Sequence, residues 1–193
     1  MEGYKPQRIR VAISGPHGVG KSTLARRIAD ELCIWYIPEV ARELLDKARD
    51  RNWKEFSAEE ACEFEKAIIH SHLFYIKQAN RMNTSFVSDR SVFDAFGYID
   101  WQEECRGMKL GINYHRIKMR DSYLPYVDKI LFFKFREEDN PDESQWWFQN
   151  RLEKFFSFDP FPDIVVEIDR KTEFEEIIRI ITSTGNSYQA QKR

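Results

Sequence analysis

The stretch AISGPHGVGKST, residues 12–23, constrains the fold of this chain more than any other feature. It overlaps the end of the short apolar run IRVAIS and leads into KSTLARRIADEL, in which apolar residues recur at helical spacing. Its glycines let the backbone curl so that successive N–H groups point inward, and the following helix adds the positive end of its dipole. The pattern G-x-x-x-x-G-K-S therefore predicts a strand, a phosphate-binding loop and a helix in immediate succession.

The loop is predicted to bind a nucleoside triphosphate. Lys21 would reach the β- and γ-phosphates, and the Ser22 hydroxyl would help to hold Mg²⁺. The side chain of His17 is interpreted as having no chemical role, because the pattern accepts nearly any residue there. The predicted nucleotide-binding residues are Gly15, Pro16, His17, Gly18, Val19, Gly20, Lys21, Ser22 and Thr23.

Four further apolar runs are predicted to be buried strands, because each is bounded by polar or turn residues. They are CIWYIP at 33–38, SFVSD at 85–89, KILFFKF at 129–135 and DIVVEID at 163–169. Helical patterns lie between them, and this alternation predicts an α/β fold with a mostly parallel sheet.

Capping boxes predict where two of the helices begin. Ser57 and Glu60 have this spacing ahead of a long helical pattern over 57–82, and Thr172 and Glu175 repeat it. The last helix is therefore expected to begin at Thr172. A further helix is predicted over DESQWWFQNRLEKFF, residues 142–156.

The bulk properties favour one globular domain, which we place at residues 1–181 with a polar tail at 182–193. The chain has 193 residues and a formal net charge of −2, so its overall charge does not indicate a nucleic-acid-binding protein. No apolar run approaches the ~18 residues that span a bilayer, and the N-terminus lacks the apolar segment of a secretory signal. We therefore expect a cytoplasmic protein that does not bind membranes, and a homodimer is compatible with the sequence.

The cysteines indicate neither a disulfide framework nor a zinc site, because three widely spaced residues form no CxxC pair. They are Cys33, Cys62 and Cys105. We expect them to be reduced and mostly buried.

Several classes of nucleotide-binding protein are excluded by motifs that the chain lacks. It has no N-K-x-D motif of GTP-binding switches and no LSGGQ signature of transport ATPases. The letters DAFG at 94–97 match a switch motif but do not end an apolar strand, so we interpret them as accidental. Small kinases and lone ATPases remain.

The segment FVSDRSVFDAFGYI, residues 86–99, carries a family resemblance through Asp89-Arg90-Ser91, Asp94 and Gly97-Tyr98. Together with the phosphate-binding loop and Pro38-Glu39 it resembles small P-loop kinases. These are thymidylate kinase, the deoxynucleoside kinases and the AAA-type domains that contain ribosylnicotinamide kinase. The resemblance covers about residues 8–181. It implies a three-layer α/β/α P-loop NTPase fold with a five-stranded parallel sheet in the order 2-3-1-4-5 and a helical lid.

The resemblance also implies an acceptor site at the strand ends. Glu39, at the end of the second strand, would accept the proton of an attacking hydroxyl, and Arg42 would face the acceptor. Asp89 would either hold Mg²⁺ through water or polarise the acceptor, and Arg90 can brace a phosphate through two hydrogen bonds. The remaining predicted acceptor-binding residues are Asp94 and Tyr98.

Three regions are predicted to handle substrates: an acceptor-binding insertion at 39–82, a basic insertion at 100–125 and a lid at 136–157. In the similar kinases, lid arginines close over the phosphates, which makes Arg136 and Arg151 the candidates here. The acidic cluster at 137–143 departs from that pattern.

The interval 106–120, RGMKLGINYHRIKMR, contains five Lys or Arg residues and no acid. It is either a solvated basic face or a strip that holds an acidic acceptor, including nucleic acid. From the whole sequence we expect an ATP- and Mg²⁺-dependent kinase that phosphorylates a nucleoside or nucleoside monophosphate, and GTP stays open as the donor. The alternatives are a kinase acting on DNA or RNA and a regulatory ATPase.

Overall fold

The fold is built on five parallel strands in the order β2-β3-β1-β4-β5, as predicted. The computed structural model describes residues 8–47, 52–157 and 163–183. The strands are β1 (Arg10–Ser14), β2 (Trp35–Ile37), β3 (Phe86–Asp89), β4 (Lys129–Phe133) and β5 (Val165–Ile168). All five predicted strands are confirmed, and each is slightly shorter than its apolar run.

Helices connect the strands and cover both faces of the sheet. They are α1 (Lys21–Leu32), α2 (Val40–Lys47), α3 (Ala58–Arg81), α4 (Val92–Cys105), α5 (Asn113–Tyr123), α6 (Glu143–Phe156) and α7 (Phe174–Thr182). Short 3₁₀ turns lie at Trp53–Glu55, Leu124–Tyr126 and Glu137–Asp139.

The structure confirms one of the two predicted capping boxes. Ser57 and Glu60 cap α3 reciprocally, and Asp142 and Gln145 cap α6 in the same way. The start predicted at Thr172 is wrong, because α7 begins two residues later without a side-chain cap. The Thr172 hydroxyl instead accepts a hydrogen bond from the Asp169 N–H at 3.0 Å, which closes the turn after β5.

Alternation along the strands divides the core into two layers, as expected for strands buried on both faces. On β1, Ala12 packs toward the layer that contains α3, α4, α5 and α6. Its neighbours Val11 and Ile13 pack toward the layer that contains α1 and α7. The three-layer α/β/α architecture is thus confirmed, and the carboxyl ends of all five strands meet at one edge.

Two other observations concern the surface. Cys33 and Cys105 are exposed, so the expectation that the thiols are mostly buried is wrong for two of the three. Within residues 8–47, 52–157 and 163–183, none of the helices has the length and apolar character to cross a membrane.

Candidate active site

The phosphate-binding loop lies between Ser14, the last residue of β1, and Lys21, the first of α1. At Gly15, where φ is +146°, an added Cβ would lie 2.2 Å from the Phe133 carbonyl oxygen. Glycine is therefore required for the loop to pass so close to the end of β4. The Lys21 ammonium is buried and donates to the Pro16 carbonyl at 2.5 Å. Burial, together with the nearby Arg90, lowers the pKa of Lys21 to about 7.

Two side chains contact the loop from outside. The Gln145 amide, at the start of α6, donates to the His17 carbonyl at 3.0 Å. Arg170, in the turn after β5, donates to the Gly18 carbonyl at 3.3 Å. Sequence reasoning missed both. Arg170 could have been predicted from its position directly after β5, at the same sheet edge as the loop.

Asp94 joins the loop to α4. Its buried carboxylate accepts hydrogen bonds from the Ser14 hydroxyl at 2.7 Å, the Gly15 N–H at 3.1 Å and the Ser91 N–H at 2.9 Å. The last of these is half of the capping box that starts α4. The geometry thus makes Asp94 a brace for the loop, and its predicted contact with an acceptor stays a prediction.

Arg90 connects three parts of the sheet edge. Its backbone has a φ of +108°, which is rare for a residue other than glycine. From there the guanidinium binds the Glu39 carboxylate at 2.9 Å, the Gly15 carbonyl at 3.4 Å and the Asp94 carboxylate at 3.4 Å. The structure therefore brings the predicted acceptor residues to the beginning of the phosphate-binding loop.

Glu39 and Arg42 lie together at the end of β2. The Glu39 carboxylate is largely buried and accepts from Arg90 on one side and from Arg42 at 3.2 Å on the other. Arg42 is 63% exposed, so it borders the solvent while Arg90 lies inside. The Glu39 carboxylate therefore lies between the two arginines at the edge of the sheet.

Asp89 is almost fully buried at the end of β3. One carboxylate oxygen, Oδ2, accepts from the Tyr36 hydroxyl at 3.0 Å. The other, Oδ1, is buried with no hydrogen-bond partner. An unpaired buried carboxylate oxygen is costly unless a cation or water satisfies it, so the environment of Asp89 fits its predicted role as a magnesium ligand. The predicted role of Ser22 as the other ligand stays a prediction. Within the described ranges, His, Cys, Asp and Glu form no cluster of three or more that could hold a metal.

Tyr98 belongs to an aromatic group beside Arg90. Its ring lies 4.6 Å from that of Phe148 and 6.3 Å from that of Trp53, and the Arg90 guanidinium is 5.9 Å away. Burial raises the pKa of the Tyr98 hydroxyl. Trp101 extends the group, with its ring 5.6 Å from Trp53.

A family assignment follows from comparison with known proteins. The model of the AAA domain family AAA_28 matches residues 10–192. This chain belongs to the AAA domain family. Comparison with curated protein sequences gives no significant match.

Solved structures share the fold of this AAA domain. Two structures of the protein NadR, one in complex with NAD and AMP-PNP and one with NR, have TM-scores of 0.65 and 17% identity. Each match covers 92% of this chain, which spans only about half of NadR, 50% and 52% respectively. Deoxyadenosine kinase from M. mycoides with bound dATP has a TM-score of 0.64 and 14% identity. That match covers 91% of this chain and all of the kinase.

The predicted lid arginines of this AAA domain, Arg136 and Arg151, pair with acidic side chains. Arg136 binds Asp169 through its Nε at 2.6 Å, and Arg151 binds Asp100 of α4 at 2.8 Å. In the described part of the chain, neither makes a hydrogen bond or ion pair with Lys21 or Arg90. The helix that carries Arg151 packs on α4 rather than standing apart from the domain. The catalytic role of both arginines therefore remains a prediction, without geometric support.

The basic strip lies beside α3. Arg106 donates to the Phe56 carbonyl at 3.4 Å, and Arg120 pairs with Asp121 at 2.9 Å. The side chains of 113–117 lie outside the described residues. Lys109 and Lys118 are exposed. Of the four basic residues of the strip whose side chains are described, Arg106 and Arg120 thus bind their own chain.

Proposed function

We propose that this AAA domain is a kinase that transfers the γ-phosphoryl group of ATP to a hydroxyl group of a nucleoside. The observation that carries the proposal is the Glu39–Arg90 ion pair at 2.9 Å, with Arg90 also bonded to the Gly15 carbonyl. The pair supports the proposal because Glu39, the candidate proton acceptor, and the cation Arg90 lie directly beside the phosphate-binding loop. The likeness to NadR and deoxyadenosine kinase, whose structures contain nucleotides or nucleosides, supports the same reaction class.

The donor half of the proposed site consists of the loop and Lys21. Loop N–H groups would bind the phosphates, and the Lys21 ammonium would turn from the Pro16 carbonyl to the β- and γ-phosphates. Phosphoryl transfer requires little covalent assistance, so positioning and charge neutralisation account for most of the catalysis. Arg90 supplies a cation whose position is held by two carboxylates.

Asp89 and Ser22 would hold Mg²⁺ on the α1 side of the sheet. Bound Mg²⁺ would neutralise charge on the phosphate oxygens. The residues contribute an unpaired carboxylate oxygen and a hydroxyl, which are the oxygen ligands that this ion prefers.

The acceptor half favours a hydroxyl group over a phosphate. Glu39 can take the proton of an attacking hydroxyl, whereas an ionised phosphate oxygen has no proton to lose and needs no base. The aromatic group of Trp53, Tyr98 and Trp101 borders Arg90 and suits a planar base. Nucleoside monophosphates and polynucleotides are therefore the secondary acceptors to test.

The test is ADP release measured with a panel of nucleosides, ribosylnicotinamide, nucleoside monophosphates and short DNA, and Lys21→Ala as the inactive control. We expect nucleosides or ribosylnicotinamide to raise the rate above hydrolysis by water. Stimulation by DNA alone would instead identify a kinase that acts on polynucleotides. A rate that no acceptor raises would identify an ATPase and overturn the proposal.

The variant Glu39→Gln tests the proposed base. We expect kcat to fall by about 10²–10⁴-fold, the range for loss of general base catalysis, with nucleotide binding retained. Glu43→Gln is the matched control, because Glu43 lies one turn further along α2 and accepts from Tyr75 at 3.3 Å. Equal activity of Glu39→Gln and the wild type would exclude Glu39 as the base.

A further inference from the structure

The register of the sheet places Tyr36 beside Asp89. Strand β2 pairs with β3 so that Tyr36 lies opposite Val87. Because side chains two residues apart share a face of a strand, Val87 and Asp89 point to the same side, and Tyr36 is the diagonal neighbour of Asp89. Val87 belongs to the core layer under α1, the same side as the start of that helix. The Tyr36 hydroxyl donates to Asp89 Oδ2 at 3.0 Å.

This hydrogen bond makes the two carboxylate oxygens of Asp89 differ in their surroundings. Oδ2 is occupied by the tyrosine, whereas Oδ1 is buried with no hydrogen-bond partner. A carboxylate held by one oxygen presents the other in a fixed direction.

The tyrosine ring is itself fixed by α1. The Arg26 guanidinium lies 5.5 Å from the centre of the Tyr36 ring, close enough for a cation–π contact. Arg26 follows Ser22 by one helical turn. Tyr36 thus contacts both the helix that carries the proposed hydroxyl ligand and the strand that carries the proposed carboxylate ligand.

We propose that Tyr36 is a positioning residue for the magnesium site and acts by orienting the Asp89 carboxylate. The inference rests on the proposed function, which assigns Asp89 to Mg²⁺. Replacing a side chain that orients a metal ligand typically costs about 10–100-fold in metal affinity or activity. Tyr36 would affect binding of the Mg²⁺–nucleotide complex and leave binding of the metal-free nucleotide unchanged.

The test is the variant Tyr36→Phe, which removes the hydroxyl and keeps the ring under Arg26. Affinity for a fluorescent non-hydrolysable ATP analogue is measured in EDTA and along a Mg²⁺ titration. We expect unchanged affinity in EDTA and a roughly fivefold or larger rise in the Mg²⁺ concentration for half-maximal enhancement. Tyr75→Phe is the matched control, since it removes another hydroxyl bonded to a carboxylate, that of Glu43.

The same titration in an Asp89→Asn background shows whether Tyr36 acts through Asp89. We expect Tyr36→Phe to have no further effect there. The inference is overturned if Tyr36→Phe titrates like the wild type, if its effect persists unchanged in Asp89→Asn, or if Mg²⁺ does not enhance wild-type binding. Because binding is measured without turnover, lack of an acceptor in the ADP assay would overturn the proposed function and leave this result interpretable.

Discussion

At the scale of single residues, the site depends on a few buried charges with several partners each. Asp94 accepts from Ser14, Gly15 and Ser91, and Arg90 binds both Asp94 and Glu39. Buried charged groups are tolerated when they are paired and hydrogen-bonded in this way. The same contacts fix the beginning of the phosphate-binding loop, so one carboxylate couples the geometry of the loop to that of the proposed acceptor site.

Lys21 gives a pH dependence at this scale. Its pKa is lowered to about 7, first by burial and then by Arg90, whereas a bound triphosphate favours the charged ammonium. Nucleotide binding should therefore take up a proton above pH 7, and affinity should fall as the pH rises from 7.5 to 9. Calorimetry in EDTA, in buffers of different ionisation enthalpy, measures the uptake. Lys21→Met should bind weakly with no uptake, and a wild type without uptake would contradict the prediction.

At the scale of elements, α6 illustrates how one helix serves both core and site. Its buried face, with Phe148 and Leu152, packs into the layer that contains α4, while Gln145 at its N-terminus bonds the loop. The sequence pattern predicted this helix correctly, whereas its assignment to a lid came from the resemblance to P-loop kinases and stays a prediction. With one face packed on α4, the helix holds Gln145 beside the loop.

Gly97 tests the contact between α4 and α6. A Cβ at this position would lie 2.9 Å from the Phe148 ring, so Gly97→Ala forces that buried ring to move. We expect a loss of about 1–2 kcal/mol in the free energy of unfolding, since overpacking outweighs the helix propensity gained. In a Phe148→Leu background the same change should be neutral or stabilising. Urea denaturation measures both, and an equal loss in the two backgrounds would refute the contact.

At the scale of the whole molecule, the parallel sheet and its two core layers determine where the functional groups meet. The strand order β2-β3-β1 places the ends of β2 and β3 next to the loop after β1. The core layer that contains α3 includes a buried histidine, His72 of that helix. Its Nε2 lies 3.4 Å from the Ser88 hydroxyl of β3, and its ring stacks on Tyr123 at 5.8 Å.

His72 predicts how global stability responds to acid. Burial lowers its pKa to about 4, despite the opposing charge of Asp94, whereas an unfolded histidine titrates near 6.5. Below pH 6.5 the unfolded chain binds the extra proton, so stability falls between pH 6.5 and 4, by about 3 kcal/mol. The buried Glu65, whose pKa burial raises to about 8, has the opposite pH dependence.

The contribution of His72 is therefore obtained as the difference between wild type and His72→Gln in chemical denaturation at several pH values. That difference should shrink as the pH falls from 6.5 to 4. The exposed His70 on the same helix provides the control His70→Gln, which should follow the wild type. A pH-independent difference for His72→Gln would show that His72 does not titrate as described.

The sequence alone determined the five strands, the helices α1, α3 and α6, and the phosphate-binding loop. The phosphate-binding loop is contiguous, and its glycines, lysine and serine act through their own backbone and the helix that they begin. Because the ends of parallel strands share one edge, the sequence also allowed Glu39, Asp89 and Arg90 to be grouped near the loop, and their roles stay predictions. The start of α7 was missed because Thr172 bonds back to Asp169 rather than forward.

Only the tertiary structure decided the contacts between distant segments. Tyr36 and Asp89 are 53 residues apart, and Gln145 and His17 are 128 apart, so each pairing depends on strand register or helix packing. For the same reason the arginines predicted for a lid were found with acidic partners outside the loop. Side-chain partners across the sheet edge follow from packing geometry, which local residue patterns do not encode.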